Sequence, residues 1–169
     1  MKRKINVFIA IIGIVSMLAA VGCEERIEYQ MGECNTDGII YDVPLHFAIS
    51  ENEEADDYYV TVNSTLAVYS YTYGEFGSTF GYNGDFTAID VAEHIVSVRN
   101  YNCTVSEGAS IGSAKYSFLY TDYNNNYYST STVHVTAERV YVLVFSCFSD
   151  KLDRYQDMII EIMNSVRFE

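Results

Sequence analysis

The sequence predicts an α+β domain: an antiparallel β-meander flanked by two helices. Three observations carry that prediction. Apolar and polar residues alternate with period two in several runs between residues 58 and 145, the spacing of half-buried strands. Residues 88–98 and 152–166 instead place apolar side chains three and four apart, the spacing of amphipathic helices. The run Val140-Tyr141-Val142-Leu143-Val144-Phe145 is apolar on both phases, so it reads as a central strand covered on both faces. Helices lying between and after runs of strands belong to the α+β class.

In chain order, residues 24–37 are polar and without period, and read as a tether; the folded domain is expected over 38–169. Residues 39–49 read as a broken strand pair. Pro44, the only proline, confines that segment to an edge or a bend. Residues 51–57 carry five acids and read as a turn. From Tyr58 to Tyr73 one phase holds Val60, Val62, Leu66 and Val68, and the other holds Tyr69, Tyr71 and Tyr73. That is one long bent strand or two short ones. Residues 74–86 read as a glycine-aromatic loop, with Gly74, Gly77, Gly81 and Gly84 set among Phe76, Phe80, Tyr82 and Phe86. Thr87 can cap the first helix, with Asp90 near its free amides. Ala88, Val91, Ala92, Ile95 and Val98 make its apolar face, and Asn100 ends it.

The meander follows. Residues 102–106 form a short strand. Ala114, Tyr116, Phe118 and Tyr120 share a face of the next, and the turn at Asn124-Asn125-Asn126 leads to a strand over 127–136 on which Val133 and Val135 share a face. The chain reverses at 137–139 into the central strand. Ser149 or Asp150 can cap the last helix, whose stripe is Leu152, Tyr155, Met158, Ile159, Ile162, Met163 and Val166. Leu152, Ile159 and Met163 are expected to pack on the sheet.

Ahead of the domain stands a different kind of segment. Lys2, Arg3 and Lys4 are followed by an apolar run over residues 5–21, broken only by Asn6, Gly13 and Ser16. A basic start, an apolar middle and a small-residue end make a secretory signal, and the run falls short of the ~20 apolar residues that span a bilayer comfortably. Residues 1–22 are therefore expected to be a signal peptide. The end of the run, Leu18-Ala19-Ala20-Val21-Gly22-Cys23, resembles the lipobox of bacterial lipoproteins, with Ala20 where a leucine-like residue is usual. The resemblance implies that the Cys23 thiol carries a diacylglyceryl group and that residues 23–37 are a lipidated tether. Two acyl chains, at ~0.8 kcal/mol per buried CH₂, give stable anchoring. The expected location is the outer side of a bacterial cell membrane.

Removing residues 1–22 takes away three of the ten basic residues and no acidic one, which moves the net charge from −13 to −16. Phosphate recognition needs a basic surface, so nucleic acid is excluded as a partner. Sixteen tyrosines, nine phenylalanines and no tryptophan suit half-buried strands and equally suit a binding surface. Besides Cys23, the cysteines are Cys34, Cys103 and Cys147. At most one disulfide can form among these three, and a Cys103–Cys147 bridge is left open.

The motifs of catalysis are missing from the sequence. His46, His94 and His134 stand far from one another and from every cysteine in chain position, so no compact zinc pattern exists and no metal is expected. His134 shares a phase with Thr132 and Thr136 and is expected to face solvent. There is no nucleophile elbow and no glycine-rich phosphate loop. No catalytic residue and no cofactor is therefore assigned. The acidic turn at 51–57 lacks the glycine and closing glutamate of a calcium loop. The loop at 74–86 is the better site candidate, because ligand pockets are largely apolar with a few polar groups. Phe76, Phe80, Tyr82 and Phe86 are its candidate binding residues, with at least two expected to be exposed or to line a cleft.

The order of elements carries a resemblance. A strand holding Val43-Pro44-Leu45, paired strands, a helix, Ile111-Gly112-Ser113-Ala114-Lys115-Tyr116 opening a meander, and a closing helix that ends Ile162-Met163-Asn164-Ser165-Val166-Arg167-Phe168 resemble the PsbP-like fold over residues 39–168. That fold occurs in small bacterial lipoproteins and brings no single activity with it. The expected role is a non-enzymatic accessory or binding module at the cell envelope, with an envelope protein or a small ligand as partner. A spacer without ligand and a weak envelope enzyme are the alternatives.

Overall fold

Residues 28–110 and 112–169 are described by the structure, a computed structural model. The predicted signal peptide at 1–22 and the predicted lipid-bearing Cys23 lie outside the described residues. In chain order the strands and helices are β1 (Met31–Thr36), β2 (Ile39–Pro44), β3 (Ala48–Ile49), β4 (Asp57–Val60), β5 (Ser64–Thr72), α1 (Tyr73–Phe80), α2 (Ala88–Val98), β6 (Ser106–Glu107), β7 (Ser113–Asp122), β8 (Asn125–Val135), β9 (Arg139–Phe148), α3 (Leu152–Asn164) and β10 (Arg167–Phe168). The strands form two antiparallel sheets, β1-β2-β10 and β3-β4-β5-β9-β8-β7-β6. β9 is the middle strand of the larger sheet, as its two apolar phases require.

Each face of the large sheet has its own core. Leu66, Val68, Tyr141, Leu143, Phe145 and Cys147 pack beneath Tyr155, Met158, Ile159, Ile162 and Met163 of α3 and beneath Ile39, Tyr41 and Val43 of the small sheet. On the other face, Val133, Val140, Val142, Ala114 and Tyr116 meet Phe76 of α1 and Val91, Ala92 and Ile95 of α2. Leu152, Ile159 and Met163 thus lie against the sheet as expected, whereas Val98 stays half exposed at the end of α2. Pro44 closes β2 where the chain bends, its carbonyl accepting from the Phe47 amide at 2.9 Å.

Several expectations are corrected. Met31–Thr36, read as tether, is a strand in register with β2. The cause is a hairpin turn at Asp37-Gly38, both with positive φ (52° and 88°), the conformation that tight two-residue hairpins demand. Three helices, not two, are present among the described residues, because the first half of the 74–86 loop is α1. Thr72 and Glu75 form a reciprocal capping box at its start, and Gly81 closes it at φ 68°, as helix C-terminal glycines do. Gly77 is needed inside it: a Cβ there would meet the Tyr82 carbonyl oxygen at 2.9 Å. The short strand expected at 102–106 is Ser106–Glu107. α3 is entered through a 3-10 turn at Ser149–Lys151 without a side-chain cap.

His134 does not face solvent. It is 3 % exposed, because β10 and α3 close over that end of the sheet. Phe168 lies 5.6 Å from the imidazole, ring to ring, and the neighbouring Thr132 hydroxyl donates to Met163 Sδ at 3.5 Å. Its Nε2 has no hydrogen-bond partner among the described residues. Burial pushes its pKa down to about 4.

Polar contacts tie the two sheets. The hydroxyls of Thr36 and Tyr41 both donate to the Asp57 carboxylate. Burial, then the bond to Asp57, raises the Tyr41 hydroxyl far above the ordinary tyrosine range. At the hairpin turn between β1 and β2, Arg139 reaches Asp37 at 3.0 Å, and the Tyr141 hydroxyl donates to the Asp37 carbonyl at 2.8 Å.

Two stability measurements check this packing. Ile159→Ala should cost ~2–5 kcal/mol in denaturant unfolding, as for other buried isoleucines; a loss below ~0.5 kcal/mol would place α3 on the surface. The unfolded chain binds a proton at His134 near pH 6.5, but the folded chain does so only near pH 4. Stability is therefore complete above pH 6.5 and falls as the pH drops toward 4, by roughly 2–3 kcal/mol at pH 4.5. Urea unfolding at pH 7 and 4.5 should show a smaller drop for His134→Leu than for the unsubstituted chain.

A tyrosine-walled candidate binding site

α1 and α2 cover only part of their face of the sheet, and a cleft of about 260 Å³ opens beside them. Residues two apart on a strand point the same way, so Tyr69 and Tyr71 of β5 stand together, rings 6.3 Å apart and nearly parallel at 4°. Tyr116 of β7 and Tyr101, from the loop after α2, form the facing wall. Tyr101 stacks at 3.9 Å on Phe118. From there the rings continue along the strands through Tyr120, Tyr127 and Phe148, at 5.7, 5.1 and 5.0 Å in turn. Val142, Val144 and Ile95 form the apolar lining between the walls.

Phe80, the last residue of α1, sets its ring edge-on to Tyr71 at 5.7 Å. Arg99, the C-cap of α2, holds its guanidinium 5.7 Å from the centre of that same ring, a cation–π distance. Glu54 enters the lining from the segment between β3 and β4. Among the described residues, neither the Arg99 guanidinium nor the Glu54 carboxylate has an ion pair. Burial pushes the Tyr71 and Tyr116 hydroxyls up to about 12 and raises Tyr69 as well, with Glu54 adding to the rise at Tyr69. These phenols stay protonated at neutral pH, as donors and acceptors. The arrangement can bind a molecule; it aligns no nucleophile with a base.

The four candidate rings of 74–86 cluster but do not share one role. Phe76 is fully buried and packs against Phe80, Tyr82 and Phe86. That corrects its place in the candidate site: it is core, and no ligand can reach it. Phe86 is half-buried and stacks on Tyr73 at 4.0 Å. Tyr82 lines a separate shallow depression with Gly84, Asp85, Asp90, Glu93 and His94. Phe80 is the member of the four that lines the tyrosine cleft. The residues that sequence reasoning missed are Tyr69, Tyr71, Tyr101, Tyr116, Glu54 and Arg99. Their signals were the tyrosine phase of β5, for Tyr69 and Tyr71, and the aromatic face of β7, for Tyr116.

The remaining polar residues do not converge. Cys34, Cys103 and Cys147 are free thiols, and Cys103 and Cys147 belong to the cores of opposite sheet faces. The His94 Nε2 lies 2.8 Å from the Phe80 carbonyl oxygen. Among the described residues no three His, Cys, Asp or Glu side chains could hold a metal ion together. In the acidic turn, Asp56 accepts from the Ser70 amide at 2.6 Å, and Asp57 is engaged by Thr36 and Tyr41. No helix among the described residues is long and apolar enough to cross a membrane.

No protein-family model matches the chain, and no curated protein matches it. Solved structures do. The solution structure of the cyanobacterial PsbP protein CyanoP from Synechocystis aligns over 88% of this chain and 98% of its own, at 11% identity and a TM-score of 0.54. The chain has the PsbP-like fold. The same fold is shared with the Ran-binding protein Mog1p of Saccharomyces cerevisiae, at 8% identity over 83% of this chain and 96% of that one, with a TM-score of 0.55. LpqN of Mycobacterium tuberculosis, involved in cell envelope biogenesis, aligns at 13% identity over 83% and 91%, with a TM-score of 0.51. At such identities the likeness is one of fold.

Substitutions separate core from cleft. Phe76→Ala should cost ~3–5 kcal/mol in chemical denaturation. Tyr71→Phe removes a hydroxyl with no hydrogen bond among the described residues, so it should stay within ~0.5 kcal/mol of the unsubstituted chain.

Proposed function

We propose that this protein is a lipid-anchored, extracytoplasmic binding module of the bacterial cell envelope. It is non-enzymatic and holds a small ligand in the tyrosine cleft. The observation that carries the reading is the cleft itself: an apolar floor, tyrosine walls, and the charges of Glu54 and Arg99, which have no ion pair among the described residues. Largely apolar pockets with a few polar groups are the usual form of small-molecule sites. The basic, apolar and small-residue segments ending at Cys23 support the anchor and the location. PsbP-like neighbours named for Ran binding and for envelope biogenesis are compatible with a binding or accessory role.

Cys23→Ala should abolish metabolic labelling with a radioactive fatty acid and slow maturation; labelling that persists overturns the anchor. For the cleft, the full chain should be purified from its own membrane and its bound small molecules identified by mass spectrometry. Val144→Trp fills the cleft floor with a bulky ring. A small molecule that accompanies the unsubstituted chain and is lost from Val144→Trp is the expected result. Identical spectra for both would favour a spacer without ligand.

A further inference from the structure

The two unpaired charges say more about the ligand. In a chain with 23 acidic and 10 basic residues, an arginine has carboxylates in excess to choose from. Among the described residues Arg99 nevertheless takes none, and its guanidinium lies 5.7 Å from the centre of the Phe80 ring. Its N–H donors have no acceptor among the described residues, and they form a planar fork that fits a carboxylate. Glu54 lines the same cleft and likewise has no ion pair among the described residues. The two charges come from different elements but act at the same place, since both bear on the Tyr69 and Tyr71 hydroxyls. Glu54 comes from the segment before β4, beyond β5 in the sheet order, and Arg99 from the end of α2, which packs on β7 and β8. Beside them stand the parallel rings of Tyr69 and Tyr71 and the rings of Tyr101 and Tyr116.

Overall charge narrows the class. A simple anion would be repelled by so acidic a protein, and a simple cation would find carboxylates over the whole surface and have no use for Arg99. A molecule carrying both charges and no net charge escapes the repulsion and answers both groups. Rings flanking an apolar floor ask for a flat apolar body, and about 260 Å³ lies just below the range of pockets for drug-sized ligands. We propose that the cleft takes a small zwitterion with a flat apolar body, of the class of a free aromatic amino acid, with its carboxylate on Arg99 and its ammonium on Glu54. This rests on the reading of the cleft as a ligand site.

The test is calorimetric titration of the full chain, held in phospholipid nanodiscs, with three probes. L-Phenylalanine carries both charges, phenethylamine lacks the carboxylate, and 3-phenylpropionate lacks the ammonium. L-Phenylalanine should bind roughly 10- to 100-fold more tightly than either analogue, the usual worth of a hydrogen bond to a charged group. Arg99→Gln should remove the preference over phenethylamine and keep that over 3-phenylpropionate; Glu54→Gln should do the reverse. Tyr71→Ala should weaken all three. Both charge variants alter exposed or rim side chains, and unchanged melting temperatures will show that they fold. Equal binding of the three probes, or preferences that survive both charge variants, overturns the zwitterion. So does the absence of binding by any probe. If a co-purified molecule is still lost from Val144→Trp, the cleft stands and only its ligand class falls; if none is found, both fall.

Discussion

β9 is hydrogen-bonded along nearly its whole length to β5 on one side and to β8 on the other, and its side chains are apolar on both phases. A strand of that kind cannot leave either face to water, and the distribution of every other element follows. One face is closed by α3 and the small sheet, the other by α1 and α2. Because β5 and β9 are far apart in sequence yet adjacent in the sheet, the segment between them must supply the cover for the second face. It does so with two short helices. These are too short to roof the whole face, and the uncovered part is the tyrosine cleft.

The small sheet is held by directional contacts as well as by burial. The Asp37-Gly38 hairpin sets Thr36 and Tyr41 on the same side, where both hydroxyls meet Asp57 of β4. A half-buried carboxylate that lost those donors would be left with part of its desolvation cost uncompensated. Asp56 and Asp57 of the turn at 51–57 are thus structural, and Glu54 lines the cleft with no ion pair among the described residues. β10 completes the closure: Phe168 lies over His134 and Tyr141, which turns a histidine expected at the surface into a neutral core residue.

The cleft joins two features with different physical origins. Its walls come from strand alternation, which places Tyr69 beside Tyr71 and Tyr116 beside Phe118. Its charges come from chain segments just outside regular structure, the C-cap of α2 and the segment before β4. Rings in fixed positions beside charges with no ion pair among the described residues suit selective binding, because the rings carry the contact area and the polar groups set orientation. The stack from Tyr101 through Phe118, Tyr120 and Tyr127 to Phe148 extends the aromatic surface along the sheet.

How far the sequence reached depended on the range of the interaction. Period-two and helical spacing are local patterns. They were enough for the α+β class, for β9 as central strand, for α2 with its Thr87 cap, and for the buried stripe of α3. Glycines at 74 and 77 hid α1, since they lack the side chains from which a helical period is read, and only the Thr72–Glu75 box marked its start. The Asp37-Gly38 turn was a local signal too, but the polar residues around it masked the strand on its N-terminal side. The burial of His134, the division of Phe76 from Phe80, and the meeting of Glu54 with Arg99 were decided by tertiary structure alone. Each depends on which distant segment comes to lie over a given face, and no periodicity within a single strand or helix records that.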